Sequence, residues 1–177
     1  EEEKKEEIKE PIKIETKVEA HNKDKKLEIK EENNAINCVD YSFDYYYFLT
    51  GGNDFSIQIS DDAMKTKIQT LKPKQFEKSN DVGRVFCAKY MPNTTSTIYS
   101  GGWDRTIRFY DTRTGNIANT ITGPEICGDS IDISGNILAS SAWSTKDQIQ
   151  LWDIRNLKCI CNVNWENKSD YFPTYVY

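Results

Sequence analysis

Histidine is all but absent from this chain: among 177 residues the one copy is His21. A Ser–His–Asp triad, a Cys–His pair or a His-rich zinc site therefore has no imidazole to draw on outside the N-terminal segment. Cysteine is sparse as well. The five copies form an odd set without framework spacing and follow no apolar leader, which argues against disulfides and for an intracellular address. No apolar run approaches the length that crosses a bilayer. A surplus of positive charge is also missing, since 23 Lys and Arg stand against 28 Asp and Glu. With residues 1–33 set aside the counts are fourteen against sixteen, so no basic stripe marks a nucleic-acid footprint.

Residues 1–33 differ from the rest. They hold nine Lys and twelve Asp or Glu, with no Arg and no aromatic residue, and are expected to be a solvated, disordered tail. Within it Ile12–Ile14 or Leu27–Ile29 is a candidate for pairing with an exposed strand edge as the tail orders on a partner, and Leu27 to Lys30 is alternatively a candidate outer strand that closes the ring.

What is present from residue 34 on is repetition. Thr50-Gly51-Gly52-Asn53-Asp54 leads into Ile57–Asp61, and Ser100-Gly101-Gly102-Trp103-Asp104 leads into Ile107–Asp111. Ser140-Ser141-Ala142-Trp143, a short insertion and Asp147 lead into Ile149–Asp153. A short alternating strand precedes each copy (Ile36–Tyr41, Val85–Tyr90, Ser130–Ile133) and another follows it. Four short strands per repeat, turn residues between them and no helical period make an all-β reading. Units of this period cannot bury an apolar face alone and stack on their neighbours.

These residues resemble the WD-repeat β-propellers, whose blades are four-stranded antiparallel sheets around a channel. The resemblance covers three blades, about 35–71, 85–121 and 127–163, with a further blade expected to begin within 164–177. Trp152-Asp153 is the literal signature pair; Tyr110 and Ser60 stand in its place in the earlier repeats. Three blades are too few to close a ring that normally needs about four to eight. The rest is expected from a missing part of the same protein, with a second chain or a second copy completing the ring as the alternative. The family ties its blades with His, Ser or Thr, Asp and Trp. Here that set maps onto Thr50 and Asp54, onto Ser100, Asp104 and Tyr110, and onto Ser140 and Trp152, with Asp147 displaced by the insertion. Because a buried carboxylate without partners is costly, either water, backbone or another side chain replaces the missing His, or these blades are less rigid than the family's best examples.

No catalytic grammar emerges and no cofactor or metal is implied. Cys159 and Cys161 alternate along a strand and would share a face, but no second pair completes a metal site. The Gly-Gly steps precede neither a helix nor a Lys at phosphate-loop spacing. Function is expected to lie in surfaces: a non-catalytic scaffold for protein–protein assembly, cytoplasmic, within a multi-subunit complex. The resemblance places Asn53, Trp103 and Trp143 on the top face beside the channel, with Arg84 and Phe86 joining the patch. Two alternatives stand beside this. Tyr110-Asp111-Thr112-Arg113 and Trp152-Asp153-Ile154-Arg155 fit a pattern found in substrate receptors of cullin-type ubiquitin ligases, where Arg113 and Arg155 would touch the adaptor. Lys-, Asn-, Glu- and Ile-rich usage is also compatible with a part of a large cytoskeletal or axonemal assembly.

Overall fold

A computed structural model describes residues 34–74 and 84–163. The expected tail, most of the polar insertion between Lys72 and Val82, and the opening strand after 164 lie outside the described residues. The fold is all-β. Twelve strands make three four-stranded antiparallel sheets, each a simple meander in chain order. The first holds β1 (Ile36–Tyr41), β2 (Tyr47–Gly52), β3 (Ile57–Asp61) and β4 (Thr66–Leu71). The second holds β5 (Val85–Tyr90), β6 (Thr97–Gly102), β7 (Thr106–Asp111) and β8 (Asn116–Thr122). The third holds β9 (Ile131–Ser134), β10 (Ile137–Ser141), β11 (Ile149–Asp153) and β12 (Lys158–Val163).

The middle sheet explains why its strands read as nearly continuous apolar runs. A sheet with one wet face alternates strictly; one with both faces covered does not need to. Ala88, Tyr90, Ile98 and Tyr110 meet Leu49, Ile57, Ile59 and Leu71 of the first sheet in one buried core. Their chain neighbours Cys87, Tyr99, Ile107 and Phe109 point the other way, against Ile131, Ile133, Leu138 and Trp152 of the third. Close approach of the sheets demands glycine at two places. A Cβ on Gly51 would lie 2.7 Å from Val85 Cγ1, and one on Gly101 would lie 2.5 Å from Ile131 Cδ1. Ser141 holds the equivalent place in the third sheet, and among the described residues no sheet packs on that flank.

The register also aligns the three tight turns. Gly51, Gly101 and Ser141 pair with Ile57, Ile107 and Ile149. Counting back from those partners, Phe55 (φ 63°), Arg105 (φ 58°) and Asp147 (φ 55°) share the left-handed position of the turn. Asp147 is thus not the displaced counterpart of Asp54 and Asp104; Lys146 stands there. An Asp tolerates the left-handed conformation better than most residues because its short polar chain can bond locally.

The inter-strand ties depart from the family set in a definite way. Trp152 Nε1 donates to Ser140 Oγ at 2.9 Å in the buried heart of the third sheet. Tyr110 and Ser100 make the corresponding contact in the second, and burial pushes the Tyr110 hydroxyl up to about 12. The turn carboxylates do not wait for a histidine. Asp104 forms an ion pair with the buried guanidinium of Arg108, while Asp54 accepts from Ser56 Oγ (2.6 Å) and Asn34 Nδ2 (2.9 Å). Cys159 and Cys161 part company: a register shift sets Cys159 opposite Trp152 and Cys161 opposite Leu151, so they face opposite sides of β12. The shared face expected from strict alternation is lost to that bulge.

Gly101→Ala is expected to overpack the contact between the second and third sheets and lower stability by about 1–3 kcal/mol. Chemical denaturation followed by circular dichroism reads this directly. An unchanged midpoint would show that the sheets do not approach so closely.

Candidate interaction site

At the end of the sheets that carries the β2–β3, β6–β7 and β10–β11 turns, the second and third sheets are stitched together by backbone. Gly102 O accepts from Ile126 N at 3.0 Å, and Glu125 O accepts from Trp143 N at 2.9 Å. Arg105 and Gly123 exchange further bonds: Gly123 N donates to Arg105 O at 2.9 Å and Arg105 Nε to Gly123 O at 3.2 Å. These bonds hold Trp103 and Trp143 at the starts of adjacent turns, where the two rings meet with centroids 6.3 Å apart. Phe86 on β5 lies 5.2 Å from Trp103, and the Arg84 guanidinium carbon sits 5.1 Å from the same ring centroid. Tilted aromatic pairs at such separations contribute about 0.5–1.5 kcal/mol and an exposed cation–π contact about 0.5–1 kcal/mol.

Four of the five residues expected on this face are therefore together. Trp103 and Trp143 belong to neither buried core, and they remain 39 % and 42 % exposed. Asn53 is engaged elsewhere. Its backbone N–H donates to Asn34 Oδ1 at 2.8 Å and its Oδ1 accepts from Asn37 Nδ2 at 2.9 Å, a polar lattice that fixes the entry to β1.

The opposite end carries the two arginines. Arg113 grips Asp111 through Nε (3.2 Å) and Nη2 (2.8 Å), and Arg155 grips Asp153 likewise at 3.0 and 2.8 Å. Each Asp also accepts the backbone N–H of its Arg. The Arg155 hydrogen bonds hold the Asp153 carboxyl at about 2, below the usual carboxylate range. Both guanidinium groups stay well exposed, oriented by a local clamp rather than free to swing.

Among the described residues Cys87 Sγ donates to Asp129 Oδ1 at 3.3 Å. Burial pushes the Cys38 thiol up to about 11, and burial together with Asp129 pushes Cys87 higher still, so both are protonated at neutral pH. Among the described residues no three His, Cys, Asp or Glu side chains gather around a metal position.

One surface feature escaped the pattern of repeats. Phe43, Tyr45 and Tyr46 stand exposed on the β1–β2 turn, beside Met64 on the β3–β4 turn. The signal was a run of six aromatics within Tyr41–Phe48, more than a turn and two strand ends can bury.

The sequence model described as "WD domain, G-beta repeat" matches residues 24–61 and 71–111. Both of these stretches match the WD repeat. The third sheet lies outside both matched stretches, yet it keeps the meander, the bulge before its outer strand and the Ser–Trp bond of a WD blade. Similar curated proteins agree. Protein FIZZY-RELATED 3 of Arabidopsis thaliana is 29 % identical over 63 % of this chain and 22 % of its own length. "Cell division cycle 20.1, cofactor of APC complex", from the same plant, is 30 % identical over 58 % of this chain and 23 % of its own length. The DDB1- and CUL4-associated factor 11 homolog of Caenorhabditis briggsae is 28 % identical over 71 % and 22 % respectively. The chain thus spans under a quarter of the length of these relatives.

The Asp153 clamp has a measurable signature. A carboxyl held below its unfolded value contributes stability that is present at neutral pH and is lost as pH falls through the folded value. The carbon resonance of the Asp153 carboxyl is expected to titrate near about 2, and Arg155→Ala to return it toward the ordinary 3.8. A wild-type midpoint already at the ordinary value would mean the clamp is absent in solution.

Proposed function

We infer that this chain is a non-catalytic interaction module that recruits another protein through the Arg84–Phe86–Trp103–Trp143 cluster. The observation that carries the reading is two half-exposed Trp rings in mutual contact across neighbouring sheets, held by backbone bonds and backed by Phe86 and Arg84. Binding energy at protein interfaces concentrates in such stiff, large aromatic anchors, and a ring already fixed in place loses little entropy on association. The partner belongs to a multi-subunit assembly in the cytoplasm. Support for the multi-subunit assembly, not for its location, comes from relatives whose names describe a cofactor of the APC complex and a DDB1- and CUL4-associated factor.

A second reading has its own support. Arg113 and Arg155 present clamped, exposed guanidinium groups at the other end, and one relative is named for association with DDB1 and CUL4. In that reading the chain is part of a substrate receptor of a cullin-type ligase. A guanidinium pre-oriented by a carboxylate is suited to bidentate contact with an adaptor.

Affinity capture from native lysate with quantitative mass spectrometry separates the two. Trp103→Ala with Trp143→Ala is expected to lower recovery of the main partner by about tenfold or more. Arg113→Ala with Arg155→Ala should leave that partner in place. Loss of a ligase adaptor with the arginine pair alone would reverse the order of the readings. Full recovery with both variants, each folded by circular dichroism, would overturn both.

A further inference from the structure

We propose that the aromatic turn of the first sheet, at the end opposite the tryptophan cluster, is a second docking surface that takes an arginine- and lysine-rich protein segment. Phe43, Tyr45 and Tyr46 are between 62 and 75 % exposed. They stand beyond the strand ends, on the turn between β1 and β2. Isolated exposed aromatics need no explanation; three on one short turn, with Met64 on the adjoining turn, form a patch.

The turn beneath them is rigid. Ser42 is buried and ties it from inside: its Oγ donates to Asp44 Oδ1 (2.7 Å) and accepts from Tyr47 N (3.0 Å), while its backbone N–H donates to Tyr47 O (2.8 Å). Tyr46 N donates to Asp44 Oδ1 at 3.2 Å. The adjoining turn is fastened to it, since Asp62 N donates to Tyr46 O (2.9 Å) and Tyr41 OH donates to Asp62 Oδ1 (3.0 Å). Structure is thus supplied by Ser42, Asp44 and Asp62, and the aromatic tips contribute nothing to either core.

Charge selects the occupant. Asp40, Asp44, Asp61 and Asp62 lie on or at the base of these turns, and Lys65, bound to Asp62, is the cation among them. Aromatic faces bordered by carboxylates fit a guanidinium or ammonium group, which can stack on a ring and reach a carboxylate together. An acidic segment or an anionic lipid surface would meet repulsion there. Arg113 and Arg155 stand at the same end but on the second and third sheets, each paired with its own carboxylate (Asp111 and Asp153), whereas the turns of the first sheet carry the Asp side chains named above.

The test uses the full protein and fluorescein-labelled deca-arginine and deca-glutamate, in about 150 mM salt where charges farther apart than about 8 Å are screened. Deca-arginine is expected to bind and deca-glutamate not to. Tyr45→Ser with Tyr46→Ser leaves net charge unchanged and is expected to weaken deca-arginine binding about fivefold or more. Phe43→Ser supplies the same comparison if the double variant proves unfolded. Equal affinity in the folded variants would overturn the proposal, because it would reduce binding to the general acidity of the chain. Preference for deca-glutamate, or for phosphatidylserine vesicles over the basic peptide, would overturn it as well. Trp103→Ala should leave this binding untouched, so failure here is distinguishable from failure of the tryptophan site.

Discussion

The close seating of one sheet's first strand on the glycine step of the sheet before it is the contact from which the rest follows. Val85 fills the space a side chain on Gly51 would occupy, and Ile131 does the same over Gly101. Because the sheets approach this closely, the three inner strands of the middle sheet are covered on both faces, and residues along β5, β6 and β7 serve two different cores while β8 stays largely exposed. Each buried Leu, Ile or Phe contributes about 1.5–3 kcal/mol, and neither core could exist with one sheet alone. Stability here is a property of neighbouring pairs, as in other stacked repeats.

The same stacking generates the site. Trp103 and Trp143 begin turns some forty residues apart in sequence, and they meet because the second and third sheets are offset by one blade and stitched through Gly102, Ile126 and Glu125. Rigid strands thus place side chains that neither turn could hold by itself. Arg84 and Phe86 complete the group from the entry and first residues of β5, whose own position is set by the packing of Val85 on Gly51.

Much of this was legible in the residues. The period, the Gly-Gly steps and the aromatic-Asp closures announce four short strands per unit, and counting from them locates every strand of the three sheets. The turn alignment of the third repeat was not legible, because a two-residue insertion leaves two ways to match Asp147, and only the pairing of Ser141 with Ile149 decides between them. Nor was the replacement for histidine. Arg108 reads as an outward polar position on an alternating strand, yet it is buried against Asp104. A two-residue period carries no information on which polar side chain turns back toward a turn. The opposed faces of Cys159 and Cys161 were hidden for a similar reason: a bulge shifts pairing by one residue and leaves no mark in composition.

That bulge recurs between the third and fourth strands of all three sheets, at Ile59/Ser60, Phe109/Tyr110 and Leu151/Trp152. Each outer strand is the open margin of its sheet, with a row of backbone donors and acceptors turned to solvent. A straight margin of that kind is a template on which a foreign strand can add and polymerise. The extra residue coils the margin and interrupts its spacing, so an incoming strand finds no long matching ladder. The repeat therefore carries its own guard against fibril growth, written once per blade opposite the WD position (Ser60, Tyr110, Trp152).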